Sequence, residues 1–544
     1  MKHKERIERA LSALQERTYY APYPENPRAY AEDADAIGKE AFQKQLSNPF
    51  VGLVDEGNLG YIGEEVSPYM MVGLGVQYPK FSSEILVNRA QTAHNEWKKL
   101  SVENRADLLI DMLDAVSNRF FELGYATMHT TGQSFIMSFQ ASGPHANDRA
   151  MESVALGFHE LTRYSSQVDW VKNMGKFDLT IKKNFKPVSK GVGLVIGCST
   201  FPTWNTVPGV FANLIAGNTA IIKPHPKSVL PIAIVVAEMQ KVLTQNGLSP
   251  YTVQLAVDTT AEPITKELAK HSLVKLIDYT GGSTFGEYIE SLPGKTVFTE
   301  KAGVNSVILE SINDSKSVFG NLAFSFSLYS GQMCTAPQNI FVPAEGITTA
   351  EGQLSFDEVV NGLSAAVKGL AENPKMGAFV MGAIQNDTTR NRVKDTLNKN
   401  GGTELSAEVT HPEFPDARLQ TPTVMGVDAA SNIWREECFG PIVFVVKTKD
   451  AESALQLAAN MASSKGAITC LCYSTNEDYM QKVEEDMNAV FTPVSFNFTG
   501  AAFVNQHAAF SDFHVSGGNP SGNATFTDSL YINRRFVWVG NRFA

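Results

Sequence analysis

At 544 residues the chain has length for about three to five domains or subdomains, which excludes a bare peptide-binding module. Hydrophobic residues make up 43% and charged residues 19%, so most of the chain folds and a disordered polyelectrolyte is excluded. The net charge of −11, with no Lys/Arg block, offers nothing for counterion release on a nucleic-acid backbone, so nucleic acid is not an expected partner.

The first 17 residues, MKHKERIERALSALQER, place Glu5 and Glu8 among the bases and contain no apolar run of signal-peptide length. Residues 1–80 read as an extension: a helix-like opening, then YYAPYPENPRAY, whose three prolines break any helix. From Ser82 to about Ser166 the period is helical, with Leu108, Leu109, Met112, Leu113 and Val116 on one face. The segment KFDLTIKKNFKPVS then reads as a long strand with exposed alternation.

From Val192 short β-branched runs alternate with helical stretches: VGLVIGC, TAIIKP, TVQLAV, LVKLIDYTG, TVFTE and NSVILE. Unalternating apolar runs between helices predict strands buried on both faces of a mostly parallel sheet, hence a doubly wound α/β region. A second alternation after Gly320 predicts another α/β domain, with NIFVP, GAFVMGAI, IVFVVKT and GAITCLCYS as strands and DAESALQLAANMA as a helix. DSLYINRRFVWVG near the end reads as a further long strand, able to pair with the earlier one as an oligomerisation flap. No run of 18 apolar residues occurs, so no membrane partner is expected. The five cysteines, an odd count with one C-x-C and no C-x-x-C, suggest neither a disulfide framework nor a zinc knuckle, and a reducing, cytoplasmic setting is expected with no metal.

Two residues carry the chemistry. Cys334, in LYSGQMCTAPQ, falls between a helix and a strand among small residues that leave room for a substrate carbonyl and for backbone N–H groups to face an oxyanion. Glu300 closes the apolar strand TVFTE, and a carboxylate at the carboxyl end of a parallel strand sits where open α/β sheets hold their ligands; burial there favours general-base work. Either residue alone is as readily structural. A Glu followed 34 positions later by Cys in a G-Q-x-C context is specific.

With these residues the chain, from roughly Lys80 to Phe543, resembles the aldehyde dehydrogenase superfamily. The resemblance implies two doubly wound α/β domains and a β flap: an extension to 80, a cofactor domain over 81–300 with flap strands near 170–190, a catalytic domain over 301–519, and a closing strand in 520–544. It implies that Lys223 of TAIIKPHP binds the adenosine ribose, that Gly281, Gly282, Ser283 and Gly286 of GGSTFG open a helix under the pyrophosphate, and that Glu437 and Phe439 of REECFGPIV hold the nicotinamide ribose. Phe201 and Phe510 are implied substrate contacts. Glycines let the backbone approach phosphates, and a helix N-terminus attracts them. The glycines of GVGLVIG, which precede and enter a strand, read as strand packing. The implied chemistry is attack by Cys334 on an aldehyde, hydride transfer, and hydrolysis of the thioester by water that Glu300 activates. The family's P-W-N-F-P segment appears here as CSTFPTWN, which places Thr200 at the register of the second oxyanion donor, ahead of Asn205. Proline at 226, where NAD-preferring members commonly carry Glu, removes a charge that repels a 2′-phosphate, so NADP is the expected cofactor, with NAD accepted.

CSTFPTWN, KPHP, TEKAGVN and NQHAAFSDFHVSGGNP together resemble the PaaN-type branch of phenylacetic acid degradation. That resemblance implies a semialdehyde substrate, free or CoA-linked. With the chain ending GNRFA at 544, the expectation is the stand-alone form that depends on a separate hydratase or hydrolase upstream. A general or CoA-acylating aldehyde dehydrogenase, and a catalytically weak binding protein of this fold, are the alternatives. His507 and His514 read as loop polar groups, and a homodimer or dimer of dimers is expected from the flap strands.

Overall fold

A computed structural model describes residues 1–400 and 409–544. Five runs form a parallel sheet in the order Val253–Leu255, Thr219–Lys223, Val192–Ile196, Val274–Thr280 and Thr296–Glu300. Along each strand successive residues feed opposite cores. Val195, Ala220, Ile222, Leu276 and Phe298 pack with helices Pro202–Ile215 and Leu230–Gln245. Leu194, Ile221, Ile277 and Val297 pack with helix Ser83–Trp97. Both faces are dry, which is why these strands show no polar alternation. The chain leaves the central strand Val192–Ile196 to one side and returns on the other, creating a crevice at the carboxyl ends.

A second parallel sheet runs Thr423–Asp428, Ile442–Thr448, Pro337–Pro343, Asn305–Leu309, Cys470–Tyr473 and Val494–Phe496. Helices Ser315–Ser327 and Phe356–Ala371 cover one face, and Ala451–Lys465 with Glu477–Ala489 cover the other. The expected strand at 377–384 is instead a short helix, Gly377–Met381, followed by loop. Its apolar residues are there to bury Ala378, Val380 and Met381, and apolarity alone does not separate a short buried helix from a strand.

Phe536–Phe543, Asp178–Ser189 and Gln167–Asn173 form a three-stranded antiparallel flap. The expected strand from 529 is corrected at its start: Asp528 caps a helical turn, Ser529–Asn533, and pairing begins only at Phe536. The first 80 residues are no loose extension. Helices Lys4–Glu16 and Ala34–Gln45 drive Ile7, Ala10 and Phe42 into the same core as Leu109, Leu113 and Phe121. Among the described residues no helix is long and apolar enough to cross a membrane.

Candidate active site

The two sheets present their carboxyl ends to a shared cleft. Glu300 is the last residue of its strand and is only 2% exposed. Its neighbours are pinned by the C-terminal segment, because Lys301 N–H donates to the Ser521 carbonyl at 2.6 Å and Gly522 bridges to Glu300 itself.

Cys334 is delivered by a loop that cannot be ordinary helix. Tyr329 and Ser330 both adopt left-handed backbone, with φ of 53° and 52°, and Gly331 follows at 67°. A Cβ on Gly331 would stand 2.5 Å from the Gly440 carbonyl, so only glycine fits. The strain is held by side chains on either side: Tyr329 Oη donates to the Thr131 carbonyl at 2.6 Å, and Ser330 Oγ to Met381 at 2.7 Å. Beyond the turn, Asn305 Nδ2, at the start of the adjacent strand of the same sheet, donates to the Cys334 carbonyl at 2.7 Å and fixes the half-buried cysteine.

Around Glu300 the geometry is tight. Asn205, in the first turn of helix Pro202–Ile215, donates from Nδ2 to Glu300 Oε2 at 2.9 Å. His514 Nε2 lies 3.2 Å from Glu300 Oε1. The reactive atoms of Glu300, Cys334 and His514 are all within 4.8 Å of one another. Burial first, and the facing Glu300 carboxylate second, push the Cys334 thiol well up, so it rests protonated with a base beside it. Cys198 donates from Sγ to Asn205 Oδ1 at 3.4 Å, which points the Asn205 amide nitrogen toward Glu300.

The expected preference for Thr200 over Asn205 is corrected by this arrangement. The Thr200 hydroxyl is directed at Cys198 Sγ, 3.9 Å away, and its carbonyl accepts from Gln133 Nε2 at 2.7 Å. The helix starts at Pro202, two residues beyond Thr200, so the first-turn position that faces the carboxylate falls to Asn205. Phe510 is also corrected as a substrate contact. It is wholly buried, its ring 5.0 Å from Tyr20, and it offers no surface to a ligand. Phe201 does line the cavity, with its ring 5.8 Å from Tyr329.

The residues expected to hold a dinucleotide fall in two places, Lys223, Pro226 and the Gly281–Gly286 segment at the carboxyl ends of the first sheet, and Glu437 and Phe439 just before strand Ile442–Thr448 of the second. Gly281 and Gly282 follow strand Val274–Thr280, and Ser283–Glu290 is a helix whose N-terminus has no side-chain cap. Its free N–H groups suit a pyrophosphate, and a Cβ at Gly282 would meet nothing, which leaves open space above the turn. A Cβ on Gly286 would strike the Lys301 side chain at 2.6 Å, so this glycine serves packing of the helix on the strand end. Lys223 ends strand Thr219–Lys223 and pairs with Asp258 Oδ1 at 2.6 Å. Pro226 lies in the turn before helix Leu230–Gln245. Lys227 is held by Asn386 Oδ1 at 2.7 Å, and burial pulls His225 down to about 4, leaving it neutral. Glu437 receives the Gly303 backbone N–H and is pushed up to about 7 by burial, against the pull of Arg392; the Phe439 carbonyl accepts from Arg392 Nη1 at 2.8 Å. These residues fit a dinucleotide.

Cys334 opens on a cavity of about 1590 Å³ lined by many aromatic rings, among them Phe201, Phe324, Phe379 and Phe503. Lys39 from the N-terminal helices and Lys375 from the catalytic domain stand at its exposed rim. His514 and Asp258 were not visible as site residues in the sequence. Nothing flanking either residue marks it, since each meets its partner across distant parts of the chain.

The site thus combines a strand-end carboxylate, a loop cysteine beside it and a capless helix at a doubly wound crevice, the parts of a dinucleotide-binding enzyme. The aldehyde dehydrogenase family profile matches residues 81–530, and the chain belongs to the aldehyde dehydrogenase family. An NAD-dependent aldehyde dehydrogenase from Burkholderia multivorans is 41% identical, covering 100% of this chain and 98% of its own, with a TM-score of 0.95. A 1-pyrroline-5-carboxylate dehydrogenase of Anoxybacillus flavithermus is 25% identical over 490 residues, 87% of this chain and 88% of that protein. The Thermus thermophilus 1-pyrroline-5-carboxylate dehydrogenase structure, at 18% identity and a TM-score of 0.76, shares the fold. The chain is therefore an NAD(P)-dependent aldehyde oxidoreductase.

Proposed function

We propose that the chain oxidises a long, CoA-linked semialdehyde of the kind released by aromatic ring cleavage in phenylacetate breakdown. The observation that carries this reading is the cavity. At about 1590 Å³ it exceeds the roughly 300–1,000 Å³ typical of small-ligand pockets, and it joins aromatic walls to a polar rim that carries Lys39 and Lys375 alongside Asp35 and Glu413, room enough for a long substrate. The PaaN-like segments support the same substrate class.

Chemistry falls to the chain's own groups. Cys334 adds to the aldehyde carbon as Glu300 takes the thiol proton, and the alkoxide is met by Asn205 Nδ2 and the Cys334 N–H. Lys223, the Gly281–Gly282 turn, Glu437 and Phe439 hold NAD(P), which when bound supplies the hydride acceptor that turns the thiohemiacetal into a thioester. Glu300 passes the thiol proton to solvent through the cavity and then draws a proton from water, whose oxygen attacks the thioester; the carbon–sulfur bond breaks, Cys334 leaves as thiolate and recovers a proton, and the acid is freed. A carboxylate placed for water activation favours hydrolysis over acyl transfer to CoA. Because Asp258 already balances Lys223, the removal of charge at Pro226 is offset, and both dinucleotides are accepted.

The test is nicotinamide reduction, followed by absorbance, across free, aromatic, amino-acid and CoA-linked semialdehydes with each cofactor. The largest kcat/KM is expected for the CoA-linked substrate, and Asp258→Asn should shift cofactor preference toward NADP. A larger kcat/KM for glutamate semialdehyde would overturn the substrate assignment.

A further inference from the structure

The floor of the cavity brings together a thiol, an imidazole and a carboxylate from three separate parts of the chain. Glu300 ends a strand, Cys334 sits on the left-handed turn, and His514 comes from the loop before the closing strand. We propose that Cys334, Glu300 and His514 form a binding site for a borderline-soft divalent cation, Zn²⁺ foremost, that reversibly blocks the nucleophile.

Ligand type and spacing both fit. Thiolate, imidazole and carboxylate are the zinc-binding groups, and three protein ligands with a fourth position open to solvent is the usual form of an accessible zinc site. Zinc bonds of about 2.0 Å to nitrogen and oxygen at a tetrahedral angle put those two atoms about 3.3 Å apart. His514 Nε2 and Glu300 Oε1 are 3.2 Å apart, with the Cys334 sulfur inside the same 4.8 Å. The fourth position faces the cavity that Cys334 and His514 line.

The surroundings orient the donors. Asn205 Nδ2 holds Glu300 Oε2, which leaves Oε1 for an ion. The His514 ring stands edge-on to Trp204 at 4.5 Å and 83°, with Phe526 at 5.9 Å, so its plane is fixed. Arg149 also lies over Trp204, 5.6 Å from its ring, and its guanidinium pairs with Glu152 at 2.9 Å, so its charge is balanced locally. A cation also relieves the crowding of a buried thiol against a carboxylate. On binding, the Cys334 S–H bond breaks, a sulfur–zinc bond forms and the proton leaves through the cavity; no electron changes hands. Hard cations such as Mg²⁺ prefer all-oxygen shells and are not expected to compete. While the ion is bound, the sulfur lone pair is engaged and the aldehyde has no nucleophile to meet.

The site is tested by metal binding, so its failure is distinct from failure of the substrate assignment. Chelator-treated, untagged full-length protein is titrated with Co²⁺ without oxygen. One cobalt per chain is expected, with a near-ultraviolet thiolate-to-cobalt absorption and the strong visible bands of four-coordinate cobalt, both bleached by equimolar Zn²⁺. Cys334→Ala should lose the ultraviolet band, and His514→Ala should weaken Zn²⁺ binding by about tenfold or more. Asp111→Asn, which alters the surface cluster with His3 and Asp114, should leave the spectrum unchanged. Thermal unfolding verifies that each variant is folded. Absence of the ultraviolet band in the unaltered protein, its survival in Cys334→Ala, or undiminished Zn²⁺ binding by His514→Ala would each overturn the proposal.

Discussion

Asn205 reaches Glu300 from the first turn of helix Pro202–Ile215, its Nδ2 donating to Oε2 at 2.9 Å. Counting from the strand puts Thr200 at the oxyanion register, but Pro202 sets where the helix begins, and the helix start decides which side chain faces Glu300. Asn205→Ala should therefore lower kcat by about 100- to 1,000-fold, the usual effect of losing one such donor, while Thr200→Val should change it by less than about tenfold. Steady-state rates for the two variants, side by side, check this. Glu300 and Cys334 were legible because their spacing is a motif; His514 was not, since its partner is 214 residues away and only the folded chain pairs them. Glu437 adds a pH signature. Its carboxyl is pushed up to about 7, so it is protonated below that pH and ionised above it. Only the ionised form accepts two ribose hydroxyls with full charge assistance. KM for the dinucleotide should rise as pH falls through about 7, and Glu437→Gln should flatten that rise; initial rates from pH 6 to 8 give the profile.

At the level of elements, the C-terminal segment is tied to the cofactor sheet by an ion pair that the sequence hid. Arg535 is wholly buried and grips Asp278 through both terminal nitrogens, at 2.8 and 2.6 Å, beside the Tyr531 hydroxyl at 3.2 Å. Arg535→Met would leave the Asp278 charge uncompensated, and a loss of about 3–5 kcal/mol in denaturant unfolding is expected. The strand that follows Arg535 closes the flap, whose outer strand Gln167–Asn173 is exposed at every residue and carries Val168, Trp170 and Val171. An unpaired apolar edge of that length is suited to a partner strand, and a second copy of the chain is the partner we propose. Light scattering at micromolar concentration should report a dimer or tetramer, and Trp170→Lys with Val171→Lys should yield a monomer. The long parallel strands were legible from their apolar runs. The helix at Gly377–Met381 was not, since a run as short as Ala378, Val380 and Met381 buries equally well in either form.

The whole molecule places two α/β sheets so that one brings Glu300 and the crevice at its carboxyl ends, and the other brings Cys334. The N-terminal helices close the outer wall of the cavity and contribute Lys39 to its rim, a role the sequence pattern did not disclose because prolines and glycines break the segment's periodicity. The central claim is that Cys334 makes a thioester which only a Glu300-activated water can clear. Rapid mixing of Glu300→Gln with saturating aldehyde and dinucleotide tests it directly. A first turnover slowed by loss of the base beside the Cys334 thiol, stopping at one nicotinamide reduced per active site, with the acyl group found on Cys334 by mass spectrometry, is the predicted result. Sustained turnover by Glu300→Gln at the rate of the unaltered protein, or a burst that persists in Cys334→Ala, would contradict it.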